Sequence, residues 1–409
     1  MKLPELDYKK VLLFAGFIII AAFFAWLIYM MFFGSLGKKV ATPDEEYEDY
    51  YNLRDGQTAN INQSISGGLT TDNKNTNISQ PTTNEGVDRL PETKDVVKIT
   101  KDIVQGAIID NTGSGVIYYN NADGKFYEIY KNGTTKVLSD QTFYNAQDIS
   151  WSDDKNKAII EYPDGSNIIY DFATEKQTTI PANWENFNFA SDNKKIVTKS
   201  LDANQENNHL IIADTVTGNA KIIEELSDQS SSFQINISPT NQIVAFFTKN
   251  IDLNHQEIFP IGQNDEKFSS FIVDGQGFQG KWSPNGEQMI YSVYNIRDDY
   301  KPNLWITNKF GSAKKRILIN TWSEKCAFYN NSVIYCAVPQ SLEKMMGLSP
   351  DYAIDNNDDI YRIDLSINST EKITLPEIGH NIKDLMITNN EQELYFTDRR
   401  TGRLYKINL

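Results

Sequence analysis

The sequence predicts an all-β fold, a seven-bladed β-propeller that follows a single transmembrane α-helix and a disordered stalk. Three observations carry this prediction: an apolar run at residues 11–33, a polar low-complexity stretch at residues 34–94, and a repeated strand and turn pattern over residues 95–409. Four antiparallel strands in each repeat of about 40–50 residues is typical of propeller blades.

The apolar run at residues 11–33 contains no charged side chain. As a helix it would cover roughly 34 Å, enough to cross a hydrocarbon core of ~30 Å. A cleaved secretory signal has a shorter apolar stretch, about 7–15 residues, so an uncleaved anchor is favoured. Lys2, Lys9 and Lys10 precede the run, and the positive-inside rule then predicts that residues 1–10 are a short cytoplasmic tail. We expect a single-pass protein of the cell membrane with its C-terminal domain on the extracytoplasmic side.

Residues 34–94 are rich in Thr, Asn, Ser, Gln and Gly and poor in large apolar side chains. Such a segment cannot bury enough surface to offset its ordering entropy, which predicts a flexible linker. Its acidic and tyrosine-rich part, residues 44–51, is interpreted as a charged spacer in preference to a docking peptide. The net charge of −15 opposes binding to phosphate backbones, so no nucleic-acid partner is expected.

Each repeat begins with an apolar strand, a turn of Ser, Asp, Pro, Asn or Gly, and a second apolar strand. The copies start at the following places: 107–110, 149–154, 187–192, 235–240, 281–286, 326–331 and 385–390. The last copy has a third strand near 404–407 but no fourth strand after it. Val96–Thr100 has the pattern of the missing strand, so we expect it to close the ring and to protect the exposed strand edges.

Trp282-Ser283-Pro284-Asn285-Gly286, followed by Met289-Ile290-Tyr291, resembles the repeat of TolB-type propellers. The same repeat occurs in the propellers of prolyl-oligopeptidase-type peptidases. The chain is thus similar to a WD-repeat-like propeller in a membrane-anchored, bacterial-type member, although the Gly-His and Trp-Asp pairs of the eukaryotic WD-repeat family are absent. The resemblance implies a domain that scaffolds interactions or gates another domain. A peptidase would also need an α/β-hydrolase domain with its nucleophile elbow.

Cys326 and Cys336, the two cysteines of the chain, lie in one predicted hairpin. If residues 330–332 form its loop, Tyr329 faces Val333 and the two cysteines are directly opposite each other. A cross-strand disulfide is therefore favoured over two reduced core thiols, because an exported domain is exposed to oxidising conditions. A metal site is disfavoured, since two cysteines without a nearby histidine supply too few ligands.

The other polar motifs are interpreted as structural. His209, His255 and His380 are scattered and are expected in loops or at the surface. Residues 355–359, Asp-Asn-Asn-Asp-Asp, have oxygen ligands suited to Ca²⁺ but not the spacing of an EF-hand loop, so a solvated loop is favoured over a weak cation site. Gly113-Ser114-Gly115 is expected to be a turn.

Aromatic side chains could line a groove for a carbohydrate or peptide, although blade packing is the favoured use. The tryptophans concerned are Trp184, Trp305 and Trp322.

No catalytic, cofactor-binding or metal-binding residue is assigned from the sequence, and no cofactor is expected. The function that we expect is a non-enzymatic, membrane-tethered scaffold whose partner is an envelope protein or a peptide. One alternative is a lyase or glycoside hydrolase with carboxylates at the mouth of the central channel, which needs two carboxyl groups about 5–10 Å apart. Another alternative is a structural component of an envelope or secretion assembly.

Overall fold

The computed structural model describes residues 23–24, 95–373 and 379–409. The chain divides into two units, Met1–Glu85 and Gly86–Leu409. Of the first unit only Phe23 and Phe24 are described, and both are helical. The predicted cytoplasmic tail and linker, and the rest of the predicted span at 11–33, lie outside the described residues. Within the described ranges, no helix has the length and apolar character needed to span a bilayer.

The second unit is an all-β propeller of seven four-stranded antiparallel sheets, as the repeat pattern predicts. Blades 1 to 6 are each formed by four consecutive strands.

The strands of blades 1 to 4 and the closing strand β1 are β1 (Val96–Lys98), β2 (Val104–Ile109), β3 (Val116–Asn120), β4 (Lys125–Ile129), β5 (Thr135–Val137), β6 (Asp148–Trp151), β7 (Lys157–Glu161), β8 (Asn167–Asp171), β9 (Lys176–Ile180), β10 (Trp184–Phe189), β11 (Lys195–Ser200), β12 (His209–Asp214), β13 (Ala220–Glu225), β14 (Phe233–Ile235), β15 (Ile243–Asn250), β16 (His255–Gly262) and β17 (Phe271–Asp274).

The strands of blades 5 to 7 are β18 (Gln276–Trp282), β19 (Gln288–Tyr294), β20 (Pro302–Asn308), β21 (Lys315–Ile317), β22 (Cys326–Phe328), β23 (Val333–Pro339), β24 (Asp358–Asp364), β25 (Ser369–Ile373), β26 (Ile382–Ile387), β27 (Glu393–Asp398) and β28 (Leu404–Asn408). The short 3₁₀ helices are Gln205–Asn207, Ser227–Ser232, Ile296–Asp298, Ser323–Lys325, Met346–Leu348 and Pro350–Ala353.

Blade 7 is closed by the N-terminal strand of the domain. Its sheet has the order β1, β28, β27, β26, and Val97 is paired with Lys406. The predicted closure by residues 96–100 is therefore confirmed, with regular pairing over Val96–Lys98. Beyond it, the N–H groups of Ile99 and Thr100 donate to Leu404 O at 2.8 Å and 3.4 Å. Because β1 supplies the fourth strand of blade 7, both ends of the domain are paired in one sheet and the ring is closed.

The hydrophobic core is divided among the interfaces between neighbouring blades. On β7, Ile159 packs in a cluster with blade 3 residues such as Trp184, whereas Ile160 packs in a cluster with Tyr119 and Phe126 of blade 1. Successive side chains of a strand point to opposite faces of its sheet, so each face covers one neighbour. This is why the central strands are nearly continuous apolar runs, as expected for sheets buried on both faces.

The repeated turn motif orders the turn and joins adjacent blades. Ser283 Oγ donates to Gln288 O at 2.9 Å and accepts from Gln288 N at 3.0 Å, which closes the turn before β19. The Asn285 backbone N–H donates to Asn331 Oδ1 of the next blade at 3.0 Å. Gly286 has φ of 70°, a left-handed conformation that favours glycine. The residues that carry the resemblance to TolB-type repeats thus have structural roles here.

Cys326 and Cys336 are register partners on β22 and β23. Their Cα atoms are 4.0 Å apart and both side chains are fully buried, with the sulfur atoms joined. Thiol labelling of the unreduced, denatured protein is expected to find no free thiol, and two reactive thiols would contradict the bond. Since the closed loop is short, with a sequence separation of 10, we expect the bond to stabilise the domain by about 2–3 kcal/mol. Reductive unfolding measurements, compared with a Cys326→Ala/Cys336→Ala variant, test this value.

Candidate functional site

Blade 6 carries an insertion of residues 340–357 between β23 and β24, whereas β7 and β8 of blade 2 are joined by residues 162–166. The insertion contains two 3₁₀ helices, Met346–Leu348 and Pro350–Ala353, and is hydrogen-bonded to blade 5. The Met345 N–H donates to Asp299 O and the Gly347 N–H to Tyr300 O, both at 2.8 Å. We call the end of blades 4 to 6 at which this insertion lies the insert face. In each of these blades it is the end where the first and third strands begin.

A pocket of about 120 Å³ opens on the insert face between blades 4, 5 and 6. Trp322 forms one wall, and its Nε1–H donates to Gly347 O of the insertion at 3.2 Å. Gln234 Nε2 donates to Phe278 O at 2.6 Å, which fixes the backbone of β18 beside the pocket. The lining residues are Gln234, Gly277, Phe278, Gln279, Ser292, Val293, Tyr294, Pro302, Trp322, Gly347 and Leu348.

Large hydrophobic side chains are exposed on the insert face, and one of them, Leu348, lines the pocket. Within the described residues of blades 4 to 6, the turns at the opposite end expose only Phe310 and Ile367 as large hydrophobic side chains. This apolar surface is therefore concentrated at one end of three adjacent blades. The exposed residues of the insert face are Ile251, Leu253, Ile296, Leu318, Met345, Leu348, Tyr352 and Ile354.

A buried ion pair lies beneath the insertion. Lys325 Nζ is 2.7 Å and 2.8 Å from the two carboxylate oxygens of Asp358, and the side chains are 1% and 0% exposed. Asp358 Oδ2 also accepts a hydrogen bond of 2.6 Å from Ile382 N in blade 7. Arg399 of blade 7 pairs with Glu324 at 3.1 Å and with Asp351 of the insertion. The pair of Arg399 with Asp351 connects the insertion to blade 7.

A second group of ionisable side chains lies in blades 2 and 3, at the end where the first and third strands of these blades begin. Asp148 and Glu161 are register partners on β6 and β7, and Glu185 is on the adjacent first strand β10. Burial, together with the negative charges of Asp148 and Glu185, raises the pKa of Glu161 to about 7. We call these three residues the carboxylate group. Such a pKa is suited to proton transfer near neutral pH.

The pKa of Glu161 leads to a pH prediction. Between the ordinary value of 4.5 and about 7, the folded state holds a proton that the unfolded state has lost, so the contribution of Glu161 to stability falls as pH rises through this window. We expect Glu161→Gln to gain stability relative to the wild type as pH rises across it. A carbon-13 NMR titration should find a midpoint near 7 that moves down in Asp148→Asn. A midpoint near 4.5 in the wild type would contradict the prediction.

The three histidines do not form one site. His209 is the first residue of β12 and His255 the first of β16, where His255 Nδ1 lies 2.9 Å from Asp252 Oδ2. His380 precedes β26 and lies outside any strand, as the sequence predicts, but its side chain is buried. Its Nδ1 lies 2.7 Å from Asp398 Oδ2, and its ring packs against Tyr405 at 4.4 Å between centroids. This partner is distant in sequence and was not visible as a motif.

Residues 355–357 lie in the loop before β24, where Asp355 is exposed as the composition predicts, whereas Asp358 and Asp359 belong to the strand. Asp358 is the first residue of β24 and is buried in the pair with Lys325, while Asp359 pairs with Lys372 at 2.7 Å. Among the residues that the structure describes, no group of three or more His, Cys, Asp or Glu side chains is arranged to hold a metal ion. Gly113-Ser114-Gly115 lies in the turn between β2 and β3.

The three tryptophans have different positions. Trp184 is buried between blades 2 and 3, and Trp305 packs on Tyr291 within the core of blades 4 and 5. Trp322 is buried and lines the pocket. Sequence reasoning missed the insertion and the carboxylate group. The insertion has a signal, an unusually long interval between two strands, whereas the carboxylates come from different blades and leave no local motif.

Comparisons with known proteins support the fold and no closer relationship. No family model matches the chain, and no curated protein matches it. The β-propeller domain of Cps50 (Swd1) from Myceliophteria thermophila is similar over 77% of this chain and 99% of that chain, with a TM-score of 0.53 and 9% identity.

Two further solved structures are similar to this chain at a comparable level. Oligogalacturonate lyase in complex with manganese is similar over 78% of this chain and 97% of its own, with a TM-score of 0.50 and 13% identity. A prolyl endopeptidase is similar over 76% of this chain and 51% of its own, with a TM-score of 0.51 and 12% identity. At these identities the likeness shows the propeller fold alone.

Proposed function

We propose that this propeller is a protein-binding scaffold that uses the insert face. The observation that carries the proposal is the concentration of exposed large hydrophobic side chains at that end of blades 4 to 6, including Leu253, Ile296 and Tyr352. Large hydrophobic side chains that are concentrated on one exposed face are typical of protein interaction sites. Turns and insertions on a rigid sheet scaffold are also where propellers vary without loss of the fold.

The proposal includes the membrane anchor and the TolB-type, extracytoplasmic character expected from the sequence. The apolar run at residues 11–33 supports it, as does the predicted linker, because a flexible tether raises the effective concentration of a binding domain near the bilayer. The partner is then an envelope protein or peptide. Protease added outside intact cells should cleave the tethered domain or its linker, and complete protection of residues 95–409 under conditions that cleave a known external protein would contradict the orientation.

The interaction is tested by photo-crosslinking in the native host. A photoreactive residue in place of Leu253 on the insert face should give a recurrent adduct, which Ile296→Asp should remove. The matched control replaces Ile367, which lies at the opposite end and is 73% exposed, as against 77% for Leu253. The same adduct from both positions, or no adduct from position 253, would contradict a partner on the insert face.

A second candidate is an enzyme that uses the carboxylate group, of the lyase or glycoside hydrolase type. It is favoured by the pKa of Glu161, about 7, which would let this side chain donate and accept protons at neutral pH. Lys199, the register partner of Glu185, is buried, and burial lowers the pKa of its ammonium group. Turnover of a defined polysaccharide, abolished by Glu161→Gln in a folded protein, would favour this candidate over the scaffold.

A further inference from the structure

We propose that His255 is a pH-dependent link between blades 4 and 5. When its ring is doubly protonated it bridges Asp252 and Asp274, and through Asp274 it holds the 3₁₀ helix Ile296–Asp298 of blade 5. Three observations carry this inference: a carboxylate on each side of the ring, a buried oxygen of Asp274 that accepts no hydrogen bond, and an ion pair of Asp274 with blade 5. The link is a property of the domain itself, so its test needs no partner protein.

The ring of His255 lies between two carboxylates. Its Nδ1 is 2.9 Å from Asp252 Oδ2 in the preceding turn, and its backbone N–H donates to Asp252 Oδ1 at 2.9 Å. Its Nε2 is 3.8 Å from Oδ1 of Asp274, the register partner of His255 on β17. An ionised carboxylate can only accept, so in the neutral ring Nδ1 carries the proton. Nε2 can therefore donate to Asp274 only after the ring takes up a second proton.

Asp274 has an oxygen available for that second proton. Its side chain is 9% exposed, and within the described residues its buried Oδ1 accepts no hydrogen bond. A buried carboxylate oxygen without a donor is costly. Burial raises the pKa of the Asp274 carboxyl, and the neighbouring Arg297 and His255 oppose this rise. A charge-assisted N–H···O bond is about 2.7–2.9 Å long, so a ring shift of about 1 Å would supply the missing donor.

Asp274 also connects the ring to blade 5. Its Oδ1 is 3.5 Å from Nη1 of Arg297, in the 3₁₀ helix between β19 and β20. Asn295 caps this helix, since its Oδ1 accepts from the Asp298 N–H at 3.2 Å. The Nδ2 of the same amide donates to Asp274 O at 3.4 Å. The side chain and the backbone of Asp274 therefore both contact the segment that forms this helix.

The other charged groups at this junction have partners of their own. Asp298 and Arg316 pair at 3.3 Å, with side chains 7% and 6% exposed. Lys314, which precedes β21, donates to a backbone carbonyl of β17 at 2.6 Å. Among the described residues, the ion-pair partners of Asp274 are Arg297 and the imidazole ring. The charge on the ring is therefore the one that changes the pairing of Asp274 near neutral pH, because histidine ordinarily titrates between about pH 5 and 8.

The link joins two segments of the insert face. Leu253 lies in the turn before His255, Ile296 is in the 3₁₀ helix, and both side chains are exposed. Gln276 Nε2 donates to the carbonyl oxygens of Asp252 and His255 at 2.6 Å and 3.1 Å, which holds the turn at either pH. Protonation of the ring therefore strengthens the contact between the two segments without rebuilding the turn.

The experiment measures amide hydrogen exchange of the full-length chain at about pH 5.5 and about pH 8, corrected for the intrinsic effect of pH on exchange. The reporting amides are Asp299, which donates to Ile296 O, and Tyr300, which donates to Asn295 O. Their protection should be about two- to fivefold higher at the lower pH, the effect of one partly exposed ion pair.

His255→Gln and Asp274→Asn should each abolish this pH effect, since one removes the titrating ring and the other the charge that it meets. The matched control is His209→Gln, because His209 is likewise the first residue of the third strand of its blade. It should leave the pH effect unchanged.

Three results would overturn the inference. One is equal protection of the two amides at both pH values in the wild type. Another is a pH effect that persists in His255→Gln or in Asp274→Asn. The third is a carbon-13 shift showing that the Asp274 carboxyl, and not the ring, takes up the proton. Nitrogen-15 labelling of the three histidines identifies the protonated ring, and His255→Gln assigns its signals.

Discussion

Replacing Lys325 by methionine is expected to lower the free energy of unfolding by about 3–5 kcal/mol, as measured by chemical denaturation. The side chains of Lys325 and Asp358 are 1% and 0% exposed, so the substitution leaves a carboxylate buried without its counter-charge. Breaking a buried pair by removing one partner costs far more than the pair itself contributes, because the remaining charge has lost its hydration. The Asp358 carboxylate would keep the hydrogen bond from the Ile382 N–H at 2.6 Å.

The pH dependence of this variant follows from the same geometry. Burial raises the pKa of Asp358, and the neighbouring Lys325 opposes that rise. Without Lys325 the pKa rises further, so the folded state binds a proton that the unfolded state releases above the ordinary value of 3.8. The stability of Lys325→Met should therefore fall as pH increases above that value, and the loss relative to the wild type should be smaller in acid than at neutral pH.

Two comparisons control the experiment. Lys309 pairs with Glu287 at 2.8 Å, but these side chains are 30% and 53% exposed, so Lys309→Met should cost less than about 1 kcal/mol. The double variant Lys325→Met/Asp358→Leu removes both charges and should recover most of the stability, except for the hydrogen bond to Ile382. Equal losses from Lys325→Met and Lys309→Met would refute the role assigned to the buried pair.

The sequence predicts the blades because their determinants are local. Apolar alternation and polar turn residues recur along the chain, most clearly at Trp282 to Gly286, and closure by Val96–Lys98 follows from counting strands. The register of Cys326 and Cys336 follows from the loop length alone. These features depend on residues that are near each other in the chain or repeat with a fixed period.

The candidate site is less predictable because it depends on contacts between blades. Lys325 and Asp358 are separated by an insertion with no counterpart in the other blades. His380, which precedes β26, pairs with Asp398 at the end of β27. Composition alone assigns Asp358 to a solvated loop, although the fold buries it. The pKa of Glu161 likewise depends on Asp148 and Glu185, which no local motif relates to it. Such pairs can be identified only when the positions of the blades relative to one another are known.

Trp322 is expected to be the other large single contribution, and it connects stability to the candidate site. It is 3% exposed, and its indole N–H holds Gly347 of the insertion at 3.2 Å. Trp322→Ala should cost about 3–5 kcal/mol, since it leaves a large cavity.

Trp322→Phe keeps an aromatic ring in the same place and removes the hydrogen bond, at a cost of about 1 kcal/mol. The informative measurement is amide hydrogen exchange at Met345 and Gly347, whose N–H groups bond to Asp299 and Tyr300. In Trp322→Phe both amides should exchange faster than in the wild type, because the insertion has lost its hydrogen bond from the Trp322 indole. The control is Trp151→Phe, which removes an equivalent indole hydrogen bond, to Gly106 O at 2.7 Å, in a distant blade. It should leave the insertion amides unchanged. Unaltered exchange in Trp322→Phe would mean that the backbone hydrogen bonds of Met345 and Gly347 to blade 5 hold the insertion without the indole.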